Sequence, residues 1–508
     1  MVDVLYSFVD VNRRFNRLAF DSLYIRDLNL TNIMTINSLY DQTSSVDIQV
    51  LSRIFEKVLC QIHHRVYKLT VEGYSMKQIL RTANYPQLYS LSLLNFEEKI
   101  LYQYLRDDLI LRHLLTKQIT HLNIDIKKTK NSCSKTSSKI FALILSLCKK
   151  LIVLNFGDMF LKRKYFGTCF YLLWKRYIPS TLVKLKINVA TLTDCLYLLD
   201  GPLVCLSTLI INVEQTFHPF GDIDPAKKLP KLKCFSFTMF HITFDYDILI
   251  VPLLCRMINL EELKLYLTVG RFNSIYIDGI QFYDQFLMYM TQLNKFTFNI
   301  RTDVYNKNVD VELQSNEDIQ RSFIGRGYQQ VTSYVHSKSS KYDGECRIYS
   351  LPYDFEYFVD LNNSFQGGMF DKVRQLNMCD GISFEHKLFK LLSQDFPCLE
   401  FLCISNNAQQ KDKQDSSTLI TFPYLTFLDL QYAYVDYAEL FLLEKNMHLP
   451  RLINLRMEYQ SLTTITNNFI NDATHFNFSK LKSLDVCQPF VRPKNFHQYF
   501  PLLYELFQ

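Results

Sequence analysis

The chain has 508 residues, of which 48% are hydrophobic and 21% are charged, and its formal net charge is +6. These values exclude a disordered chain, and so small a net charge does not by itself indicate nucleic-acid binding. The 13 cysteines are odd in number and form no C-x-x-C pair, and no apolar run reaches the roughly 20 residues of a membrane span. We therefore expect reduced thiols, a cytoplasmic or nuclear location and no membrane partner.

The N-terminal segment, residues 4–19, predicts an amphipathic helix. Its apolar side chains fall on one stripe, and its arginines fall largely off that stripe. The apolar stripe consists of Leu5, Phe8, Val11, Phe15 and Leu18. One interpretation is a helix that caps the N-terminal end of the fold, and the other is a helix that binds a partner.

A short phrase then recurs along most of the chain. It consists of an apolar residue, two positions, Leu or Phe, one position and another apolar residue. Copies return every 22 to 33 residues, apart from one gap of 80 residues. Their first residues are Val66, Leu88, Ile119, Leu151, Leu182, Leu206, Leu232, Leu260, Leu293, Val373, Leu399, Leu425, Leu452 and Leu481. Each copy alternates like a strand with one buried face, so the sequence predicts fourteen strands.

Helical stretches precede most of these strands. In residues 139–150, 245–258, 281–292 and 434–445, apolar residues recur at three- and four-residue intervals. A turn follows, often with a proline such as Pro86, which ends the helix. One helix–turn–strand unit cannot bury its own apolar face, so we expect stacked units whose strands pair in parallel.

The positions between the apolar residues of each phrase are predicted to point out of the sheet. They form either a solvated face or a surface that contacts a partner. These positions include Ser90, Ser92, His121, Asn123, Lys184, Lys186, Glu262, Lys264, Asp429, Arg456, Ser483 and Asp485. Our candidates for substrate contact among them are His121, Lys184, Lys186, Lys264 and Arg456.

Residues 301–372 interrupt the repeated phrase and are rich in glycine and tyrosine. Two strand-like runs, 329–335 and 346–351, flank a predicted turn at 337–341, which indicates a hairpin. Tyrosine brings a large contact area at a low entropic cost, and we take Tyr328, Tyr334 and Tyr353 of this insertion as further substrate-binding candidates. The alternative is that these aromatic residues cover an exposed seam of the fold.

The repeated phrase resembles the leucine-rich repeat family in its longer, helix-containing form, over about residues 66–300 and 370–490. The family's Asn or Cys after the strand is mostly absent and is kept only in residues 402–407. The resemblance implies an α/β solenoid shaped as an irregular horseshoe, with parallel strands on the concave face and helices outside.

The N-terminal helix resembles the second half of an F-box, in which Val11, Arg13, Phe15 and Leu18 occupy the family's later positions. The family's opening Leu-Pro-x-Glu-Leu segment is missing, so we expect an F-box that is degenerate or N-terminally truncated. The resemblance implies that the apolar stripe binds the Skp-type adaptor of a cullin-based ubiquitin ligase.

These resemblances divide the chain into four parts. They are a partial F-box-like helical segment at 1–30, repeats at 31–300, the aromatic-rich insertion at 301–372, and further repeats with a cap at 373–508. The function they imply is the substrate-recognition subunit of an SCF-type ubiquitin ligase, a monomer within a complex with the adaptor, the cullin scaffold and a protein substrate. The alternative is a repeat scaffold or inhibitor-type protein with no link to a ligase.

Sequence signals of catalysis are missing. No H-E-x-x-H, zinc-type Cys/His spacing, G-x-S-x-G or kinase signature occurs, and we expect no enzyme activity, metal or cofactor. One basic cluster, at 127–139, is typical of a solvated loop. A nucleic-acid binder is the third alternative, and it predicts that Lys184, Lys186, Lys264 and Arg456 share one face.

Overall fold

In the computed structural model of the protein, the described residues are 14, 26–31, 59–73, 75–127, 134–157, 181–200, 205–215, 224, 226–305, 311–328, 330–337, 344–411, 419–486 and 493–504. They form two compact units. The first contains the described residues up to Gly270 together with Ile280–Phe296, and the second contains Arg271–Gly279 and the described residues from Thr297 onward. The fold class is α/β with a large parallel sheet, as predicted at that level.

In the first unit, nine described strands run parallel, and each pairs with the next in chain order. They are β1 (Asp27–Asn29), β2 (Lys68–Glu72), β3 (Ser90–Glu97), β4 (His121–Lys127), β5 (Val153–Phe156), β6 (Lys184–Thr191), β7 (Thr208–Gln215), β8 (Cys234–Thr243) and β9 (Glu262–Phe272). Successive side chains of a strand point to opposite faces. In β4, accordingly, Leu122 and Ile124 are fully buried, whereas His121 and Asn123 are half-buried.

All fourteen strands predicted from the repeated phrase are present, so that prediction is confirmed. Each begins two residues after the first apolar residue of its copy, as β3 begins at Ser90 after Leu88. Within each parallel sheet, matching phrase positions are also register partners, for example Leu91, Leu122 and Leu154. The phrase therefore sets both the position and the register of each strand.

Helices occupy the connections between these strands. Those of the first unit are α1 (Cys60–Ile62), α2 (Met76–Thr82), α3 (Glu98–Asp107), α4 (Leu109–Lys117), α5 (Ser134–Leu147), α6 (Leu192–Leu199), α7 (Val251–Leu254, after a π-helical turn at Tyr246–Ile250) and α8 (Gly279–Gln285). One-turn 3-10 helices lie at His63–Arg65 and Leu287–Tyr289. In α3, Leu101 and Leu105 are fully buried, and this helix contacts both α4 and α5.

Helix α6 begins directly after β6, since the last residue of the strand, Thr191, is the N-cap of the helix. The Asp194 carboxylate accepts a hydrogen bond from the Thr191 backbone N–H at 3.0 Å, and Thr191 Oγ1 accepts one from the Asp194 backbone N–H at 3.3 Å. This capping box satisfies backbone donors that have no partner inside the helix.

The second unit contains an antiparallel group and a parallel sheet. In the antiparallel group, β12 (Gly344–Ser350) pairs with both β10 (Lys295–Tyr305) and β11 (Val331–Ser337). The parallel sheet has the order β13 (Tyr357–Leu361), β14 (Gln375–Cys379), β15 (Phe401–Asn406), β17 (Phe427–Ala433), β19 (Asn454–Met457) and β20 (Ser483–Val486). Two short strands, β16 (Ile420–Thr421) and β18 (Met447–His448), pair with each other.

Helices of the second unit likewise lie between strands in the chain. They are α9 (Asn316–Ser322), α10 (His386–Asp395), α11 (Val435–Leu442), α12 (Tyr459–Ile465), α13 (Phe496–Tyr499) and α14 (Pro501–Tyr504), with a 3-10 turn at Ala473–His475. Aromatic rings fill much of this core. The rings of Phe370 and Phe396 stack with centroids 4.6 Å apart, and Tyr353 lies 5.0 Å from Phe370.

The predicted hairpin of the insertion is confirmed as the antiparallel pair β11–β12, while residues 338–341 of its predicted turn lie outside the described residues. Strand β13 was not predicted, although it too begins two residues after an apolar residue, Phe355. Phe355 and Phe358 are buried as the phrase requires, but Asp360 has a φ of +55° and interrupts the register. Leu361 therefore takes the buried place that the phrase gives to residue 360.

No helix among the described residues is long and apolar enough to cross a membrane. The ten cysteines in the described part of the chain are free thiols. Cys148, which follows α5, is fully buried and serves as a small packing residue, and its burial raises the pKa of its thiol to about 12.

We predict that Leu122→Ala lowers the free energy of unfolding by about 2–5 kcal/mol, because Leu122 is fully buried and its loss leaves a cavity between strands. Urea unfolding followed by circular dichroism measures the change. The control is Leu109→Ala in α4, whose side chain is 82% exposed and whose loss should cost less than about 0.5 kcal/mol. Equal effects of the two changes would contradict the assigned register.

Candidate functional site

Three of the predicted contact residues of the first unit lie in two rows across neighbouring strands. His121, Val153 and Lys184 are register partners at the first strand position, and Asn123, Asn155 and Lys186 are partners at the third. Lys264 lies three strands further along, on β9. Because neighbouring parallel strands are about 4.8 Å apart, side chains at matching positions are close enough to contact one another.

Aromatic rings form a surface row at the start of β2, β3 and β4. The ring centroids of Tyr67 and Tyr89 are 6.5 Å apart, and those of Tyr89 and His121 are 5.3 Å apart, both pairs edge to face. The Arg26 guanidinium lies 5.6 Å from the centroid of the Tyr67 ring. All three rings of this row, called here the aromatic row, are half-buried and present one side to solvent.

The repeated phrase identified His121 as a contact candidate but not the two tyrosines of the aromatic row. Tyr67 and Tyr89 occupy the second position of the phrase, directly after Val66 and Leu88, just before each strand begins. The recurrence of tyrosine at that one position in consecutive copies is the signal that could have identified them.

His121 is held neutral at the end of this row. Burial, and after it the positive charge of Lys68, lower the pKa of the His121 imidazole below its usual value. The ring Nδ1 lies 2.9 Å from Thr120 Oγ1. At pH 7 the ring therefore contributes an aromatic face and a hydrogen-bonding nitrogen, and the lysines carry the positive charge of this region.

Amide side chains form a second row one step further along the same strands. Asn155 Nδ2 donates to Asn123 Oδ1 at 2.6 Å, and Asn123 Nδ2 donates to Ser92 Oγ at 2.9 Å. The chain of hydrogen bonds fixes the orientation of both amides across β3, β4 and β5, and we call these three residues the amide row. Asn155 Oδ1 is buried and has no hydrogen-bond partner among the described residues.

Lys184 and Lys186 continue the two rows onto β6. Lys184 is exposed, Lys186 is half-buried, and neither has a carboxylate partner in the described part of the chain. Two other lysines at first strand positions of this unit are paired, since Lys68 lies 3.6 Å from Asp27 and Lys295 lies 2.8 Å from Glu262. Within the described residues, no carboxylate neutralises the charges of Lys184 and Lys186.

The predicted contact residue of the second unit, Arg456, is buried and already paired. Arg456 is only 8% exposed and lies between two carboxylates of adjacent strands. Its Nη1 donates to Asp429 Oδ2 at 3.1 Å, and its Nε donates to Asp485 Oδ2 at 2.7 Å. The expected open charge is therefore taken up by an internal ion-pair network across β17, β19 and β20.

The predicted tyrosine surface of the insertion is largely internal. Tyr334 is 1% exposed and Tyr353 is 3% exposed, so neither ring lies on an open surface. Tyr353 accepts a hydrogen bond from Asn299 Nδ2 at 2.7 Å and donates one to the Tyr357 carbonyl at 2.9 Å. Tyr328 is half-buried and donates to the Gly279 carbonyl at 2.7 Å. The expectation of exposed contact rings fails for Tyr334 and Tyr353, because both pack in the apolar interior.

A buried charge cluster joins the antiparallel group to β13. Arg301 Nε and Nη2 donate to both carboxylate oxygens of Asp303, at 2.8 and 3.1 Å. The same guanidinium lies 3.3 Å from Glu345 and 3.1 Å from Asp360. Burial raises the pKa of Asp303 to about 6, against the lowering effect of Arg301.

The remaining features considered from the sequence are the N-terminal apolar stripe and metal-binding side chains. The apolar stripe of the N-terminal helix, Leu5, Phe8, Val11, Phe15 and Leu18, lies outside the described residues. Within the described ranges, no group of three or more His, Cys, Asp or Glu side chains is placed to hold a metal ion.

We predict that Arg456→Ala lowers the free energy of unfolding of the second unit by about 3 kcal/mol, because it leaves Asp429 and Asp485 without their shared cation. Urea unfolding measures this loss. The matched control is Arg451→Ala, since Arg451 is exposed and lies 4.8 Å over the Tyr424 ring, a contact worth at most about 1 kcal/mol. A smaller loss for Arg456→Ala than for the control would refute the structural role.

We also predict a pH effect at Asp303. The folded pKa of about 6 lies above the ordinary carboxyl value of 3.8, so the folded state binds the proton more tightly than the unfolded state. Asp303 therefore contributes stability below about pH 4, and that contribution is lost as the pH rises through about 6. Asp303→Asn cannot titrate, so its melting temperature relative to the parent should increase between pH 4 and pH 7. A difference that is constant across this range, or falls, would rule out the raised pKa.

Comparison with protein-family models and with curated proteins finds no match for this chain. The assignment of a site therefore rests on the geometry of the side-chain rows.

Proposed function

We propose that the chain is a non-catalytic leucine-rich-repeat protein that binds a protein partner through the polar face of its parallel strands. We also propose that its units stack as an irregular horseshoe-shaped solenoid, with strands on the concave face and helices outside. The observation that carries the proposal is the in-register repetition of the phrase, which lines up side chains such as those of the aromatic and amide rows over consecutive strands.

Such a face suits recognition for a physical reason. The backbone of each strand is held by its neighbours, and the amide row is already hydrogen-bonded in one orientation. Few side chains then lose freedom when a partner binds, so less of the contact energy is spent on ordering. The tyrosine rings add contact area at low entropic cost.

Within this class, we propose the role of substrate-recognition subunit of an SCF-type ubiquitin ligase in the cytoplasm or nucleus. Support comes from the sequence, where Val11, Arg13, Phe15 and Leu18 resemble the later part of an F-box. The Skp-type adaptor would bind the apolar stripe and link the chain to a cullin scaffold, while the repeats hold the substrate. A repeat scaffold or inhibitor-type protein without a ligase link is the alternative.

The adaptor experiment separates these two functions. The chain and a Skp-type adaptor are co-expressed, and the adaptor retained on the purified tagged chain is quantified. We predict retention by the parent and a loss of at least about tenfold for Phe8→Asp, because this change places a charge in the apolar stripe.

The matched control is Arg17→Asp, a charge change that the helical pattern places off the apolar stripe. It should retain the adaptor to within about twofold. No retention by a parent chain that folds, as judged by circular dichroism, would favour the scaffold function over the ligase function.

A further inference from the structure

We propose that the strand face of β2–β6 binds an extended acidic segment of a partner protein, with carboxylates on Lys184 and Lys186 and flat apolar groups on the aromatic row. This inference rests on the proposed function and specifies the chemistry of its ligand. It is carried by the juxtaposition of two lysines that have no carboxylate partner among the described residues, an amide row and an aromatic row on five adjacent strands.

The charge pattern is one-sided at the first and third strand positions of this face. The first and third strand positions of β3–β7 carry no carboxylate; they are Ser90, Ser92, His121, Asn123, Val153, Asn155, Lys184, Lys186, Thr208 and Ile210. Acidic residues at corresponding positions on β1 and β9 are already paired, Asp27 with Lys68 and Glu262 with Lys295. An incoming carboxylate therefore meets positive charge on β6 and no acidic residue in either row between β3 and β7.

The two rows beside the lysines fit a polypeptide. The amide row offers donors and acceptors of the same kind as a peptide backbone, in orientations set by its own hydrogen bonds. The rings of Tyr67, Tyr89 and His121 stand edge to face, which leaves apolar ring surface for a proline or aromatic side chain of the ligand.

The size of the face sets the length of the segment. From β2 to β6 there are four strand spacings, roughly 19 Å in total. An extended chain advances about 3.3 Å per residue, so about six residues cross the face. A short linear segment is therefore sufficient, with its acidic end toward β6 and its apolar end toward β2.

A nucleic acid fits this face less well. Its affinity would come mainly from neutralised phosphates, and the face supplies only two lysines without a carboxylate partner in the described part of the chain. The amide row instead matches the regular donors and acceptors of a peptide backbone. A protein segment therefore fits this face better than RNA, and the binding test compares the two.

The test measures fluorescence polarisation of a fluorescein-labelled twelve-residue peptide made of glutamates with two phenylalanines, mixed with the whole chain at low ionic strength. We expect saturable binding that weakens at least about tenfold for the double variant Lys184→Glu/Lys186→Glu. The same peptide with every glutamate replaced by glutamine should bind at least about tenfold more weakly to the parent. If the charge-reversed variant does not fold by circular dichroism, Lys184→Gln/Lys186→Gln takes its place, with an expected loss of at least about threefold.

The matched control is Lys149→Glu/Lys150→Glu, which makes the same charge change at two exposed lysines that precede β5 and lie outside the strand rows. It should change the affinity by less than about twofold. Three results would overturn the proposal: no binding by the parent, equal losses in both double variants, or tighter binding of a labelled oligouridine than of the glutamate peptide. The peptide assay contains no adaptor and the adaptor assay contains no peptide, so the two proposals fail separately.

Discussion

Burial of alternate apolar side chains from most strands is the constraint on which both parallel sheets depend. Leu122 and Ile124 of β4 are fully buried, as are Leu402 and Ile404 of β15. Full burial of such a side chain contributes about 1.5–3 kcal/mol, which an isolated strand cannot obtain. Each strand is therefore stable only beside neighbouring strands and helices. The apolar positions of the repeated phrase are the ones buried in those contacts.

The same alternation that buries these residues also arranges the opposite positions. Because parallel strands pair at matching phrase positions, a residue type that recurs in consecutive copies becomes a row across the sheet. The amide row arises in this way, and Asn212 donates to Asn188 at 2.8 Å by the same rule on β6 and β7. Residues that lie one repeat apart in the sequence are therefore neighbours on the surface of the sheet.

This explains which features could be predicted. The strands followed from a local pattern of apolar residues, and the hairpin β11–β12 followed from two alternating runs. Strand β13 escaped because the left-handed backbone at Asp360 shifts the buried position to Leu361, a change that no apolar pattern encodes.

The tyrosines of the insertion show a second limit of sequence reasoning. The sequence shows that tyrosines are concentrated in the insertion. The burial of Tyr334 and Tyr353 depends on tertiary packing, which the local pattern does not contain. The ion-pair network of Arg456 was readable in principle, because Asp429, Arg456 and Asp485 all occupy the third strand position of consecutive copies. Recognising it required comparing copies with one another as well as with the phrase.

The cations on the strand faces differ in whether they already have a carboxylate partner, and this difference separates structure from recognition. Arg456 is shared by two carboxylates, and Arg301 contacts three, so these cations are satisfied before any ligand arrives. A partner would have to displace those carboxylates and leave buried charge unpaired, which is costly. Lys184 and Lys186 have no such partner among the described residues, and a ligand carboxylate would gain their attraction without breaking an existing pair. Of the cations that the repeat pattern places on strand faces, the lysines of β6 are therefore the ones best suited to recognition, and the arginines are suited to holding strands together.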